Sequence, residues 1–242
     1  GSAFLLTSST ASGMNAGFNN DMNVESMTLE AWVKPFSYPY SANKIIVKDV
    51  GSCGEGTDTQ YLIAVTDTGA AHCNIGGPSH PPSSPLVGGS VPLNQWTHVA
   101  CTFDGAFVRL YVNGDEVAST PRVDPIPSST QELWIGSEER TSCTTPFPRH
   151  FDGLIDEPRL FSRALASCEI QAIVHANTSG LCKGDGDVDS IPDWGDNCVG
   201  VYNPGQQDAD GDSGGDPCDC APSDSSLLAS PEELIGLHLG AG

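Results

Sequence analysis

A chain of 242 residues with 38% hydrophobic content is long enough to bury one sizeable core with an appendage, and too apolar to be a disordered polyacid. Its net charge of −21 disfavours sequence-independent binding to nucleic acid or to an anionic membrane, since both need a dense Lys/Arg face. The surplus is uneven: residues 1–182 carry a net −9 and residues 183–242 a net −12.

Nine cysteines are many for a reducing compartment, and no C-x2-C pair is matched by a second such pair or by a His pair as a zinc site requires. Disulfides and an extracellular or cell-surface location follow. An odd count leaves one thiol free, paired between chains, or parted from its partner. No apolar run approaches the roughly 18 residues of a membrane span, so direct membrane insertion is not expected. Gly1 to Leu6 has neither the basic start nor the length of a signal peptide, which reads as a mature or recombinant piece with Gly1-Ser2 as a cloning scar.

In chain order, short alternating or apolar runs are set apart by Gly, Pro, Asn and Asp clusters: SMTLEAWVKP, NKIIVKDV, QYLIAVTDTG, QWTHVACTF, FVRLYVNGDEVAS, ELWIGS and DGLIDEPRLF. Strands at that spacing, without intervening helical periodicity, predict an all-β antiparallel sandwich. Asn113-Gly114 supplies the positive-φ pair of a tight hairpin turn. Trp32, Trp96, Trp134, Phe103 and Tyr111 are expected in the core or packed on strand faces. The Pro/Gly-rich stretch Asn74–Ser90 reads as a connection rather than a ligand-facing insertion. Leu165, Ile170, Ile173 and Val174 then recur at helical spacing, with Ser167 a cap candidate and Glu169 in the first turn, so a short helix follows the strands. Asn177-Thr178-Ser179 is a glycosylation sequon, meaningful in a eukaryotic secretory host.

This ordered series, over about residues 3–182, resembles the concanavalin A-like, laminin G-like jelly-roll family of extracellular proteins. The resemblance implies two packed antiparallel sheets serving carbohydrate or protein recognition, sometimes with a calcium ion at the sandwich rim. Asp156 matches the acidic residue that often supports that rim site, the alternative being a carboxylate that accepts backbone hydrogen bonds at a turn. Fold alone leaves function to the site. Glycoside hydrolysis needs two carboxylates across the bond, and the E-x-D-x-x-E run of related glucanases is absent. Asp156 and Glu157, being adjacent, are expected on opposite strand faces. There is no G-x-S-x-G and no H-E-x-x-H, the six His show no i, i+4 pairing, and His98 reads as an ordinary strand residue. The expectation is a protein that is not an enzyme.

Beyond the helix, aspartates crowd in two bursts. Counting from Asp185, carboxylates fall at positions 1, 3, 5, 9 and 12: Asp185, Asp187, Asp189, Asp193 and Asp196. Counting from Asp208 the same code returns as Asp208, Asp210, Asp212, Asp216 and Asp219. A hard divalent cation takes six to eight oxygens, and this spacing suits calcium, with position 7 (Ile191, Gly214) contributing a backbone carbonyl. Position 6 is Ser190 or Ser213 rather than Gly, and position 12 is Asp rather than Glu, so these are not EF-hands. The pattern over residues 185–219 resembles the thrombospondin type 3 repeat, whose D-x-D-x-D loops wrap calcium with disulfide support; Cys198, Pro204 and Cys218 fall at family positions. With few apolar residues of its own, such a segment should fold only with metal.

By proximity alone the disulfide expectations are Cys168–Cys182, Cys198 with Cys218 or Cys220, Cys53–Cys73 and Cys101–Cys143. The tail alternates from Leu234 to Leu239, reading as a first strand of a further unit or as a strand that adds to a neighbour's sheet edge. The domain plan is a sandwich over 1–182, a calcium-binding repeat over 183–222, and a linker with an orphan strand over 223–242. The function expected is an extracellular, calcium-binding recognition or adhesion module for glycan or protein. The alternatives are a structural subunit of a self-assembling filament or matrix, and a carbohydrate-binding appendage of a secreted enzyme.

Overall fold

The computed structural model describes residues 3–6, 13–50, 59–76, 85–137, 149–176, 187, 189, 191, 196–219 and 221–225. Two compact units emerge, one of Gly1–Val112, Glu116–Ala164 and Glu233–Gly242, the other of Asn113–Asp115 and Leu165–Glu232. The sequon, the orphan tail strand, Trp194 and cysteines 53, 143, 182 and 220 lie outside the described residues.

The first unit is built from β1 (Phe4–Leu6), β2 (Met14–Gly17), β3 (Met27–Ser37), β4 (Asn43–Asp49), β5 (Thr59–Val65), β6 (Ala71–Ile75), β7 (Leu86–Gly88), β8 (Thr97–Phe103), β9 (Phe107–Val112), β10 (Asp115–Pro121), β11 (Leu133–Ile135) and β12 (Asp152–Phe161). They form two six-stranded sheets, ordered β1-β12-β3-β8-β9-β10 and β2-β11-β4-β5-β6-β7. This is the antiparallel sandwich that the strand series predicts, in the jelly-roll form that the family resemblance implies. Alternation along β3 sends Met27, Leu29, Ala31 and Val33 into the core, where they meet Ile46, Ile63, Val65 and Ile135 of the other sheet's strands. The β9–β10 turn is as tight as Asn113-Gly114 demands, with φ of 51° and 87°. Each of the seven runs read as strands is present. Missing from that reading are β1, β2 and β7, three or four residues long and at sheet edges, and β6, whose AHCNI carries little β-branched character. The stretch expected as connection from Asn74 to Ser90 therefore contains the end of β6 and all of β7.

Two disulfide expectations are overturned. Cys73 on β6 bonds Cys101 on β8, with Cα atoms 6.1 Å apart, so Cys73 does not take Cys53 and Cys101 does not take Cys143. Proximity along the chain favours partners on neighbouring strands, whereas these two side chains point into the core from opposite sheets.

On the other face of the first sheet, β3, β8 and β12 share a buried ionic network. Glu30 receives His98 Nε2 at 3.0 Å and Arg159 Nη1 at 2.7 Å, and Arg159 also holds Glu157 at 2.6 Å. Burial pushes the Glu30 carboxyl up, but His98 and Arg159 outweigh it and hold the group below the usual carboxylate range. His98 is thus a charge-network residue and packs edge-on against Trp32, centroids 5.4 Å apart. The register of β12 against β3 shifts between Asp156 and Arg159, and Glu157 takes a left-handed φ of 48° there. Plain alternation, the basis for putting Asp156 and Glu157 on opposite faces, does not hold through the shift.

The aromatic expectation holds for Phe103 and Tyr111, which are buried, while Trp32 and Trp134 are half-buried. It fails for Trp96, which precedes β8 in a turn and is 40% exposed.

On β6, His72 stands between Ala64 and Val87, with both ring nitrogens buried and lacking hydrogen bonds. Burial, helped by Lys44 and Arg149, pulls its pKa from 6.5 to about 4. The unfolded imidazole takes its proton first as pH falls, so stability is lost between pH 6.5 and 4, by about 3 kcal/mol at the full shift. The variant His72→Gln should flatten that part of the stability profile in urea melts from pH 7 to 4.5; an unchanged slope would show that His72 does not carry it.

In the second unit, helix α1 spans Ser167–Ala176. Its first residue is Ser167, not a cap, and Glu169 Oε2 accepts the Ala166 N–H at 2.7 Å, the acidic half of a capping box without the hydroxyl half. Among the described residues no helix is long and apolar enough to cross a membrane.

Candidate metal centre

The bursts of aspartate fold as two consecutive acidic loops. In the first, oxygens of Asp187, Asp189 and Asp196 all lie within 4.8 Å of one another. The loop is wound by side chains that accept the amide two residues on: Asp187 from Asp189 N–H at 3.2 Å, Asp189 from Ile191 N–H at 2.8 Å, Asp196 from Cys198 N–H at 2.8 Å. Asp185 and Asp193, also expected here, lie outside the described residues.

In the second loop, Asp208, Asp210 and Asp212 form the same tight trio, within 4.8 Å. Asp208 accepts Gly211 and Ser213 N–H, at 2.7 and 3.1 Å, while Asp210 accepts Asp212 N–H at 3.2 Å and Asp212 Oδ1 accepts Gly214 N–H at 2.7 Å. Asp216 and Asp219, the other two residues of this code, each accept a backbone amide. Asp216 accepts Ala209 N–H at 2.8 Å, and Asp219 Oδ1 accepts Ala221 N–H at 2.8 Å. Ser213, at the position EF-hands fill with glycine, is left-handed with φ 80°, so the sharp turn is kept without the glycine. Ile191 and Gly214, expected to lend carbonyls, show their N–H groups engaged with the aspartates before them.

Three oxygens in this loop, Oδ2 of Asp210, Asp212 and Asp219, are buried without a hydrogen-bond partner. Asp212 as a residue is only 8% exposed. Lost hydration, then the charges of Asp212, Asp219 and Asp208, hold the Asp210 carboxyl above its usual range. A partnerless carboxylate oxygen is costly to bury, and carboxylates converging on it add repulsion; a cation removes both costs. The donor set is all hard oxygen and fits calcium, as magnesium keeps its waters and copper or zinc favours nitrogen or sulfur.

Sequence reasoning passed over what joins the loops. Gln206, left-handed at φ 46°, accepts Asn197 N–H at 2.8 Å and donates to Asp196 Oδ1 at 2.8 Å. The Asn203 N–H donates to Asp189 at 3.0 Å. Across to the second loop, Gly215 N–H donates to Asn197 O at 2.7 Å, and Cys198 bonds Cys218, one of the two expected partners, with Cα atoms 5.6 Å apart. A side chain on Gly215 would come within 2.5 Å of Asn197 and Cys198, so only glycine permits this approach. The Asn-Pro pair at 203–204 was the available signal, since it marks a turn that returns the chain to the first loop. Cys168 is also disulfide-bonded, and its expected partner Cys182 lies outside the described residues.

In the sandwich, Asp156 on β12 joins neither trio; its Oδ1 accepts the Glu157 N–H at 3.0 Å.

A jelly-roll sandwich of this topology defines a lectin-like class of fold. The chain belongs to the Laminin_G_3 family of the concanavalin A-like lectin/glucanases superfamily, whose profile matches residues 8–171. No curated protein matches the chain. Among solved structures it is similar to the CBM40 of the Ruminococcus gnavus IT-sialidase bound to α2,6-sialyllactose. That likeness has a TM-score of 0.57 at 14% identity and covers 72% of this chain and 96% of the other. It is also similar to domain 4 of AbnA, a GH43 extracellular arabinanase from Geobacillus stearothermophilus, in complex with arabinotriose. There the TM-score is 0.50 at 20% identity, covering 71% and 76% of the two chains. The chain spans 40% of the length of a Bacteroides ovatus protein described as carbohydrate-binding. At these identities the likeness is one of fold.

Proposed function

We propose that the protein is a non-catalytic, extracellular glycan-recognition module whose C-terminal acidic segment is folded around calcium. For the sugar, the support is the sandwich itself, which shares its fold with modules seen holding sialyllactose and arabinotriose. For calcium, one observation carries the reading: the buried, partnerless Oδ2 of Asp212 inside the Asp208–Asp210–Asp212 trio. Asp187, Asp189 and Asp196 would hold a second ion, with Asp185 and Asp193 as further candidates from spacing. Calcium here supplies charge compensation and rigidity, and no chemistry on a substrate.

Calorimetric titration with calcium chloride, followed by a glycan array on the calcium-loaded chain, tests both halves. Binding of two ions and retention of a defined glycan class are the expected results. Absence of calcium binding would leave the acidic segment a solvated linker, and a blank array would remove the sugar reading.

A further inference from the structure

Two disulfides have both partners among the described residues, and they are buried in different ways. Cys73 and Cys101 lie fully buried in the sandwich core between the two sheets. Cys198 is as well hidden and Cys218 is half-buried, yet no other hydrophobic residue described from 196 to 219 is buried. What covers these sulfurs is backbone of the second acidic loop. The Gly215 carbonyl oxygen lies 3.1 Å from Cys198 Sγ and 3.3 Å from Cys218 Sγ, and the Asn197 carbonyl oxygen lies 3.3 Å from Cys218 Sγ. A Cβ on Gly215 would sit 2.5 Å from Cys198 Sγ, so this backbone rests directly on the bond. Two hydrogen bonds hold it there: Gly215 N–H donates to Asn197 O at 2.7 Å, and the preceding Gly214 N–H donates to Asp212 Oδ1 at 2.7 Å. Cys218 in turn precedes Asp219, whose Oδ2, like that of Asp212, is buried without a partner. The cover over the disulfide and the oxygens that call for a cation are thus one stretch of chain.

We propose that Cys198–Cys218 is a calcium-gated site of thiol exchange, a role that rests on the calcium reading of the Asp208–Asp210–Asp212 loop. With the ion bound, Gly214 and Gly215 stay in place and shield both sulfurs from a reductant. Without it the aspartates repel, the loop opens and the sulfurs meet solvent. A thiolate of a dithiol then attacks Cys218 Sγ, the more exposed of the two, and the Sγ–Sγ bond breaks with Cys198 leaving as thiolate. The second sulfur of the dithiol displaces Cys218 from the mixed disulfide. Two electrons pass to the cystine, and the dithiol departs as its own disulfide. The control runs in both directions, as linkage requires. The bond joins residues 20 apart, and breaking it frees the unfolded loop, so the reduced chain should bind calcium about 100-fold more weakly where binding and folding are one equilibrium. Cys73–Cys101 answers to neither event, because its cover is the hydrophobic core.

The test treats the full chain with dilute dithiothreitol in calcium chloride or in EGTA, traps free thiols with iodoacetamide and maps them by peptide mass. Cys198 and Cys218 should label at least about tenfold faster in EGTA, while Cys73 and Cys101 label at one slow rate in both. Protecting Asp212→Asn should take about 10- to 100-fold more calcium than protecting wild type. Calorimetry on the double variant Cys198→Ser, Cys218→Ser reads the reverse coupling, as a calcium affinity lower by about 100-fold, with circular dichroism confirming a folded sandwich. Equal labelling rates in a wild type that binds calcium would overturn the gate while leaving the calcium reading intact. Faster labelling of all four cysteines in EGTA would show general loosening and also overturn it. A double variant that binds calcium as tightly as wild type would break the reciprocity the gate requires. A wild type that binds no calcium would overturn both readings.

Discussion

Chelating calcium should unfold residues 196–219 and leave the sandwich's own cooperative transition in place. The segment buries few apolar side chains, and Cys198 is its one buried hydrophobic residue among those described. What winds it is a set of amides donated to aspartates, including Gly211, Ser213 and Gly214. Those aspartates repel one another once the counter-charge is gone, so metal binding and folding become one equilibrium. Hydrogen exchange with and without a chelator reads this directly. Protection at Gly211 to Gly214 should drop to that of an open loop, while Leu29, Val99 and Ile63 in the central strands stay protected. A milder version is Asp212→Asn, which keeps Oδ1 and the side-chain volume but removes the charge. Because calcium affinity follows ligand charge count, it should weaken one of the two sites by about 10- to 100-fold. Equal protection with and without the chelator would sink the calcium reading.

The second large effect is expected from the cross-sheet disulfide. Cys73 and Cys101 are 28 residues apart in sequence, and closing a loop of that size restricts the unfolded chain by about 3–4 kcal/mol in the chain-entropy account. Both residues are fully buried in the core, so the double variant Cys73→Ala, Cys101→Ala also loses packing. A loss of about 4–5 kcal/mol follows, or a Tm lower by about 10–15 °C for a unit of this size. Thermal melts of both forms with calcium present, so that the second unit stays folded, isolate the term. A drop under about 3 °C would mean that the bond adds little to the core that surrounds it.

Much of this architecture was readable before any coordinates. Alternating runs gave β3, β8, β9 and β12 almost to the residue, because a strand buried on one face writes its period into the sequence. Asn113-Gly114 announced its turn for an equally local reason. What escaped was non-local. The Cys73–Cys101 bond joins two sheets, and no spacing along one chain encodes which strands face each other. Trp96 looked like core because aromatics usually are, yet it stands just ahead of β8 and is 40% exposed. Among the acidic residues, the D-x-D-x-D spacing put Asp208, Asp210 and Asp212 in one loop, and their oxygens do lie within 4.8 Å of one another, since alternate side chains in a tight loop converge. Asp216 and Asp219, named by the same spacing, each accept a backbone amide, and Asp219 Oδ2 is buried without a partner beside the trio. Gln206 carries no acidic signature at all, yet it is the side chain that ties Asp196 to the backbone of Asn197.

The ion network across the first sheet acts as an error check on assembly. Glu30, His98 and Arg159 come from three adjacent strands and meet only in the native alignment. A slip of β3 by one residue would swing Glu30 inward, among Leu29's neighbours, and strand His98 and Arg159 without their shared acceptor. A mispaired sheet would therefore bury unpaired charge as well as misfitting its core side chains. The three middle strands need not rely on hydrophobic shape alone to find one another.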